Sequence, residues 1–314
     1  MSIIGLENLK GKDFLTLKDF SAGEILSLVD LGILLKTKLK NKEATPILQG
    51  KTLGMIFQKA STRTRVSFEV GMYQLGGQAL FLNSNDLQIG RGETIEDTAR
   101  VLSSYLDGIL IRTFSHQEVE KLAKYSDVPV INGLTDDYHP TQVLADLITI
   151  KEHKGNFKGL KFTYIGDGNN MTNSLMVGCA KMGMDISIAT PIGYEPNSEI
   201  VTLAAAYAKQ SGGNLFISND VKAATSGADI IYTDTWASMG QEEEKAIRKK
   251  AFADYQINSK ILELADKRAI VMHCLPAYRG QEITDEVIEG AQSVVFDEAE
   301  NRLHAHKAIM ATIM

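Results

Sequence analysis

Residues 52–65 read TLGMIFQKASTRTR, and the fold prediction rests on this stretch. The apolar run at 52–57 is typical of a buried parallel strand, and helical spacing begins at Arg65 and continues to Leu75. A strand, a short polar loop and a helix in this order form the first half of a βαβ unit, in which helices cover a parallel sheet.

The same alternation continues almost to the end of the chain. Further strands are predicted at 79–83, 108–112, 128–132, 160–165, 185–190, 215–218, 230–234 and 269–273. Helical patterns lie at 94–106, 117–125, 171–182, 198–211, 220–226, 257–264 and 297–313. Because the strand segments are mostly apolar, we expect parallel sheets that are buried on both faces.

The chain has 314 residues, which corresponds to two domains at about 150 residues per domain. Pro140 opens a helical pattern that ends at a polar gap, Gly155-Asn156, and a helix that crosses between domains would explain its position. We predict an α/β fold with two doubly wound parallel-sheet domains joined by interdomain helices. The first domain is 1–135, completed by a C-terminal helix at 297–314; 136–155 is the interdomain helix, and 156–296 is the second domain.

Composition narrows the classes of partner. The net charge is −6, which argues against nucleic acid or an anionic membrane as the main partner, since both reward basic surfaces. Residues 1–13 lack the apolar core of a signal peptide, and no run reaches the ~18 apolar residues of a membrane span. Two cysteines are too few for a disulfide framework, so we expect a cytoplasmic protein. Because the charge argues against nucleic acid and membrane, the expected partners are small molecules.

A candidate phosphate site follows the strand at 52–57. Ligands of open α/β sheets bind beyond the carboxyl ends of the strands, and three cations, Lys59, Arg63 and Arg65, are expected to converge there. Ser61 and Thr62 add hydroxyl groups where the helix begins, and the free N–H groups and dipole of a helix start favour an anion. The alternative is a solvated segment in which one hydroxyl simply caps the helix. The segment is not a Walker loop, because GxxxxGK[ST] is absent.

Two other strand ends of the first half carry polar groups. Arg112 ends the strand at 108–112, where its guanidinium could bind phosphate oxygens in a fork. His139 and Gln142 flank Pro140, which suits a first helical turn and would direct both side chains to the same edge. The alternatives are a surface arginine and a surface turn.

The segment after the strand at 160–165 resembles a dinucleotide fingerprint only in part. Gly166 and Gly168 are present, but Met171 takes the place of the third glycine, and Thr190-Pro191 follows the next strand in place of the ribose-binding acid. A nicotinamide-dependent oxidoreductase is therefore the less favoured class. Asn170 is placed to donate a hydrogen bond to a substrate carboxylate.

The last two strands of the second half end in Asp234 and in His273-Cys274. A carboxylate beyond the sheet would bind a substrate ammonium group, or it would cap a turn. Adjacent side chains of an extended strand point to opposite faces, so His273 and Cys274 are not expected to form a dyad. Two ligands are also too few for zinc, and we predict no metal site. Cys274 is either a site residue or a buried structural cysteine.

Three motifs together resemble the carbamoyltransferase family: STRTR at 61–65, HPTQ at 139–142 and HCLP at 273–276. The resemblance extends from Leu15 to the final helix. HCLP stands where aspartate carbamoyltransferases carry HPLP, which indicates the ornithine branch. Asn169-Asn170 and Asp234 with Ser238-Met239-Gly240 are similar to the ornithine-binding elements of that branch.

The resemblance implies an enzyme that transfers the carbamoyl group of carbamoyl phosphate to the side-chain amine of L-ornithine, giving L-citrulline and phosphate without a cofactor. The nearest alternative is a putrescine carbamoyltransferase, and a non-catalytic metabolite sensor on the same fold is a third class. The resemblance also implies that Gln88 comes from a neighbouring subunit, and hence a homotrimer, or an assembly of trimers, with shared active sites.

The roles implied by the resemblance divide between the two substrates. The carbamoyl phosphate residues would be Ser61, Thr62, Arg63, Thr64, Gln88, Arg112, His139, Gln142, Cys274, Leu275 and Arg302. The ornithine residues would be Asn170, Asp234, Ser238 and Met239. The catalytic residues among these would be Arg63, Arg112, His139, Asp234 and Cys274.

Overall fold

The computed structural model describes residues 6–237 and 242–314. These residues form two compact units. The first unit is the described part of Met1–Ile148 together with Glu300–Met314, and the second unit is the described part of Thr149–Ala299. No helix among the described residues is long and apolar enough to cross a membrane.

The first unit contains a parallel sheet in the order β2-β1-β3-β4. Its elements, in chain order, are α1 Ala22–Lys40, β1 Thr52–Phe57, α2 Thr62–Gln74, β2 Gln78–Asn83, α3 Ile95–Ser103, β3 Gly108–Arg112, α4 His116–Tyr125, β4 Val130–Leu134 and α5 Pro140–Lys154. The chain passes into the second unit within α5.

The second unit contains a parallel sheet in the order β7-β6-β5-β8-β9. Its elements are β5 Lys161–Ile165, α6 Asn170–Lys181, β6 Asp185–Ala189, α7 Ser198–Ser211, β7 Leu215–Ser218, α8 Val221–Thr225, β8 Ile230–Thr233, α9 Lys245–Ala251, α10 Ser259–Leu262, β9 Ile270–His273, α11 Asp285–Ile288 and α12 Val295–Ile313. The chain returns to the first unit within α12.

Each unit has its own apolar core, although the edge strands β2 and β7 are only partly buried, unlike the prediction for the sheets. In the first unit, Ile56 and Ile109 pack with Val119 and Leu122, which lie on a covering helix. In the second unit, a cluster around Phe252 joins strands and helices. The predicted α/β class with parallel sheets is confirmed.

The element boundaries differ from the prediction where local chemistry decides them. The strand expected at 128–132 begins at Val130, directly after Pro129, which has no N–H for a ladder. Helix α2 begins three residues before the helical spacing does, because Ser61 caps it. Helix α1 was missed, although Ser21 and Glu24 form a capping box that marks its start.

Candidate active site

Three of the predicted catalytic residues, Arg63, Arg112 and Asp234, follow or end strands at the switch points of the two sheets. In the first unit, β1 lies between β2 and β3, so the chain proceeds to opposite sides of β1. In the second unit, β5 lies between β6 and β8 in the same way. A crevice opens beyond the carboxyl ends of the strands at such a point, and it is where open α/β sheets bind ligands.

The start of α2 supplies the anion-binding end of the first switch point. Ser61 is the N-cap, and its Oγ accepts a hydrogen bond from the N–H of Thr64 at 3.3 Å. Thr62 begins the helix and is exposed, whereas Thr64 is buried. The remaining N–H groups of the first turn and the positive end of the helix dipole favour an anion here.

Arg302 connects three of the elements that were predicted to contribute to this site. Its Nη2 donates to Oγ1 of Thr64 at 2.6 Å, and its Nη1 donates to Oε1 of Gln142 at 2.9 Å. The amide nitrogen of Gln142 donates in turn to Asp146 at 2.8 Å. Residues from α2, α5 and α12 thus form one buried network, which includes Thr64, Gln142 and Arg302, three residues that the resemblance assigns to carbamoyl phosphate.

Two more arginines belong to this switch point. Arg112 ends β3 in register with Phe57 of β1, and only 6% of it is exposed. Arg63 lies in the first turn of α2, and its Nε is buried with no hydrogen-bond partner among the described residues. A buried guanidinium N–H without a partner is costly, and a bound anion would supply one.

The expectation that Lys59 and Arg65 converge on the same point is wrong. The ammonium of Lys59 pairs with Asp136 and lies 4.2 Å from the ring centroid of Phe114. Arg65 pairs with Glu69 at 3.0 Å on the exposed side of α2. Helical geometry separates Arg65 from Arg63, because residues two apart do not share a face of a helix.

His139 is a neutral imidazole in this cationic environment. It is 5% exposed, and burial holds its pKa well below the usual value. The charges of Arg302, Arg112 and Arg63 lower that pKa further. A neutral imidazole can donate one hydrogen bond to a developing oxyanion and does not add another buried positive charge.

Sequence reasoning missed a second buried histidine, His306. Its Nδ1 lies 2.8 Å from Oγ of Ser67, which itself donates to the main-chain carbonyl of Arg63 at 2.5 Å. Nδ1 therefore carries the ring proton. The ring stacks on Phe68 at 3.9 Å, and burial, followed by the charge of Arg302, lowers its pKa well below the usual value. His306 links α12 to the first turn of α2, and no sequence motif marks it.

Gln88, which was predicted to act in a neighbouring subunit, lies in the segment between β2 and α3. Its side chain is exposed, and its main-chain carbonyl accepts from the N–H of Arg91 at 2.8 Å. Exposure leaves this side chain available to a second copy of the chain.

An acid and its donors form the second switch point. Oδ1 of Asp234 accepts from the N–H of Thr235 at 2.7 Å and from Sγ of Cys274 at 3.1 Å, and Oδ2 accepts from the side-chain amide of Asn169 at 3.1 Å. Asn169 also caps α6, so the loops after β5, β8 and β9 are joined through one carboxylate. Asn170, the predicted carboxylate donor, is the first residue of α6 and is half-buried.

The side chains of His273 and Cys274 lie closer together than neighbouring side chains on opposite faces of an extended strand would. Their ligand atoms and those of Asp234 are within 4.8 Å of one another, because β9 ends at His273 and Cys274 is outside the strand. Leu275 then adopts a left-handed φ of 56°, and its N–H donates to Nδ1 of His273 at 2.9 Å. Nε2 lies 3.1 Å from Glu282, so both imidazole nitrogens are engaged within the protein and are poorly suited to a metal.

A buried ion pair, also missed by sequence reasoning, adjoins the second switch point. Nη1 of Arg248 donates to Asp167 at 2.7 Å and to the carbonyl of Trp236 at 3.0 Å. Burial raises the pKa of Asp167 to about 6, although the charge of Arg248 opposes this rise. Ser238 and Met239, two predicted ornithine residues, lie outside the described residues.

Comparison with known protein families identifies both halves of the chain. Residues 12–152 match the aspartate/ornithine carbamoyltransferase carbamoyl-P binding domain, and residues 158–313 match the aspartate/ornithine carbamoyltransferase Asp/Orn binding domain. The chain belongs to the aspartate/ornithine carbamoyltransferase family. The family resemblance drawn from the three sequence motifs is thereby confirmed.

Relatives within this carbamoyltransferase family match over nearly the full length. An ornithine carbamoyltransferase from Oceanobacillus iheyensis is 60% identical over 308 residues, which cover 98% of this chain and 96% of the relative. One from Caldicellulosiruptor saccharolyticus is 60% identical over 302 residues, with 96% and 98% covered. The solved structure of ornithine carbamoyltransferase from Pyrococcus furiosus has a TM-score of 0.95 at 53% identity and covers 98% of each chain.

Proposed function

We propose that this chain catalyses the transfer of the carbamoyl group from carbamoyl phosphate to the side-chain amine of L-ornithine. The observation that carries the proposal is the buried network in which Arg302 joins Thr64 and Gln142 at a helix start flanked by Arg63 and Arg112. Relatives 60% identical over almost the whole chain are ornithine carbamoyltransferases. That similarity favours ornithine over putrescine as the acceptor.

The reaction needs a neutral amine and a stabilised leaving group. The side-chain nitrogen of ornithine attacks the carbamoyl carbon, the carbonyl oxygen gains negative charge, and the bond from carbon to the bridging oxygen breaks. The products are L-citrulline and inorganic phosphate, which retains the electron pair of that bond and takes up the proton lost by the nitrogen. No cofactor takes part in this balance.

The first unit is proposed to bind carbamoyl phosphate. Its binding domain would comprise 1–135 and the helix at 297–314, with 136–155 as the connecting helix. The phosphate would be held by Ser61, Thr62, Arg63, Thr64, Arg112 and Arg302, all at the first switch point. Arg63 would neutralise the departing bridging oxygen with the guanidinium N–H that has no partner among the described residues.

The carbonyl oxygen is proposed to receive hydrogen bonds from Thr64, Arg112 and His139. A lowered pKa keeps His139 neutral. The imidazole then donates a hydrogen bond to the oxyanion and does not take up the proton that the departing phosphate accepts. Removing a single oxyanion donor in other enzymes costs ~3 kcal/mol of transition-state stabilisation. Gln142 and the main-chain carbonyls of Cys274 and Leu275 are proposed acceptors for the carbamoyl NH₂ group.

The second unit, proposed as the ornithine domain at 156–296, is acidic where the first is cationic. Asp234 and Ser238 would bind the α-ammonium group, and Asn170 with the backbone of Met239 would bind the α-carboxylate. Cys274 would lie beside the side-chain amine, and its contact with Asp234 at 3.1 Å orients its thiol. Asp234 and Cys274 would be the catalytic residues of this half.

A trimer with shared active sites is proposed as the working assembly, and such trimers could associate further. Val66, Val70 and Tyr73 form an exposed apolar row on α2, with Tyr73 80% exposed, and Leu80 is exposed on the edge strand β2. Gln88 follows that strand, where a neighbouring copy could receive it.

Mixing Gln88→Ala with Arg112→Ala chains should restore activity that neither has alone, and persistent inactivity of hybrids would contradict shared sites.

A cytoplasmic location is proposed because neither cysteine forms a disulfide in the described part of the chain. Cys179 is buried in α6, and Cys274 contacts Asp234. Free thiols persist in a reducing compartment.

The rival oxidoreductase function conflicts with the packing around Gly168. A Cβ at this position would lie 2.4 Å from the carbonyl carbon of Glu195 and from the nitrogen of Pro196. The main chain thus already occupies the close approach that a dinucleotide pyrophosphate makes to the second glycine of its fingerprint. The packing at Gly168 therefore favours a role in the loop over a role in binding a nicotinamide cofactor.

A product assay with two amines tests the proposed function. The protein is incubated with carbamoyl phosphate and either L-ornithine or putrescine, and the ureido product is measured. We expect citrulline from ornithine and little product from putrescine. Preferential carbamoylation of putrescine would overturn the substrate, and no turnover with either amine would support a metabolite sensor.

A further inference from the structure

Arg248 connects three segments, two of which carry proposed ornithine residues that the structure describes. It is 7% exposed, and its guanidinium donates to Asp167 and to the carbonyl of Trp236 through Nη1. Its Nε donates to Glu244 at 2.8 Å, one turn earlier along the chain. The three partners come from the loop after β5, the loop after β8 and the segment that leads into α9.

Two of these segments carry proposed ornithine residues. Asp167 lies three positions before Asn170, and its main-chain carbonyl accepts from Oγ1 of Thr172 at 2.6 Å, which ties it to the first turn of α6. Trp236 lies two positions after Asp234. Arg248 therefore holds the two loops whose separation sets the distance between a carboxylate-binding and an ammonium-binding group.

Stability alone is a poor explanation for this ion pair. Burial raises the pKa of Asp167 to about 6, so the ionised carboxylate is less favourable in the folded chain than in the unfolded chain, whereas Arg248, in spite of burial, has its pKa raised by its bonds to Glu244 and Asp167. Buried ion pairs often contribute little net stability compared with apolar packing. Trp236 and Phe252 already provide apolar packing nearby, with their rings stacked at 5.9 Å.

We infer that Arg248 is a positioning residue for ornithine, and that its bond to Asp167, not its bond to Glu244, sets the spacing of the Asn170 and Asp234 loops. This inference rests on the proposed function. Arg248 does not touch the substrate in this account. Glu244 serves as the internal comparison, because its side chain is 55% exposed and its ion pair with the same guanidinium is solvated.

The pair also gives ornithine binding an acid limit. The groups that face Asp167 are Arg248 from α9, Asp234 from the loop after β8, and Tyr164 from β5, whose own pKa is raised well above 10 by burial. Glu244 acts only through Arg248. As the pH falls through about 6, Asp167 takes up a proton, the ion pair is lost, and ornithine binding weakens.

The experiment compares Asp167→Asn with Glu244→Gln and the wild type, measuring kcat and the KM of each substrate from about pH 5 to pH 8. At the upper end, Asp167→Asn should raise the KM for ornithine about tenfold and leave the KM for carbamoyl phosphate unchanged, whereas Glu244→Gln should change neither by more than about twofold. The ratio of the ornithine KM of Asp167→Asn to that of the wild type should fall towards one as the pH drops below about 6.

Several results would overturn the inference. These are an ornithine KM for Asp167→Asn within about twofold of the wild type, equal effects of the two variants, or a KM ratio that does not change with pH. If Asp167→Asn does not fold, Arg248→Lys replaces it, with the same requirement that ornithine KM rises alone. Wild-type citrulline formation tests the proposed function separately, since the inference concerns only the differences between variants and wild type.

Discussion

The switch points of the two sheets have the same topology and opposite charge. In the first unit, the crevice beyond β1 and β3 is lined by Arg63, Arg112 and Arg302. In the second, the crevice beyond β5 and β8 contains Asp167 and Asp234. The fold supplies a crevice in each unit, and the residues after each strand set its charge, which suits a phosphate in the first unit and the α-ammonium group of an amino acid in the second.

The largest effect should come from the first switch point. Arg112→Ala should lower kcat/KM for carbamoyl phosphate about 10²–10³-fold, because it removes a buried guanidinium that is proposed to bind both phosphate and the developing oxyanion. Steady-state kinetics with saturating ornithine measure this loss. Unchanged thermal unfolding would show that the fold persists, and a normal affinity for carbamoyl phosphate would exclude the assigned role.

A somewhat smaller effect is expected at the second switch point. Asp234→Asn should raise the KM for ornithine by about 10²-fold, since a charged acceptor of about 3 kcal/mol is lost while the side chain keeps its size. Ornithine titrations at saturating carbamoyl phosphate provide the measurement. If the KM for carbamoyl phosphate rose by the same factor, the division of substrates between the units would be incorrect.

A fall in pH should destabilise the first unit through His304 and stabilise the second unit through Asp167. Burial, followed by the charges of Lys307 and Lys36, lowers the pKa of His304 in α12 to about 3. The folded state is therefore favoured above the pKa of about 6.5 that this histidine has in the unfolded chain, and this contribution to the free energy of unfolding is lost as the pH falls. Between about pH 7 and pH 5 this loss amounts to about 2 kcal/mol. Because the pKa of Asp167 is raised to about 6, protonation of this carboxyl adds about 1 kcal/mol to the free energy of unfolding over the same pH range.

Urea unfolding at both pH values measures these opposed contributions. His304→Gln should lose less stability than the wild type on acidification, and Asp167→Asn should lose more. The same change in both variants would show that the two groups do not titrate as described.

The smallest expected effect on carbamoyl phosphate affinity is that of Arg65→Ala, which is compared with Arg63→Ala in the same motif. Arg65→Ala should change carbamoyl phosphate affinity by no more than about twofold, since its ion pair with Glu69 is exposed. Arg63→Ala should weaken the affinity by more than tenfold, about the value of one charge-assisted hydrogen bond. Equilibrium titration of both variants is the measurement, and equal losses would show that the whole motif binds the anion.

The sequence predicted the strand ends well because parallel strands deliver their following residues to one edge. Ser61, Arg112 and Asp234 were found in this way, since each follows or ends an apolar run that could be read directly. Helix α1 was missed because it precedes the first apolar strand and so lies outside the strand–helix alternation.

Contacts between elements distant in the chain could not be read from the pattern. Arg302 was found only through the family resemblance, and His306 and Arg248 were missed, because their partners lie on other helices or loops. Lys59 was assigned wrongly for the same reason, since its partner Asp136 follows a different strand. The expected separation of the His273 and Cys274 side chains assumed extended geometry, which ends at His273.

Titration of carbamoyl phosphate into the wild type, Arg112→Ala and Asp234→Asn, without ornithine and followed by calorimetry, tests the division of charge between the two switch points most directly. The account predicts that Asp234→Asn binds carbamoyl phosphate as the wild type does and that Arg112→Ala binds it at least about 10²-fold more weakly. Equal weakening of both variants, or normal binding by Arg112→Ala, would contradict it.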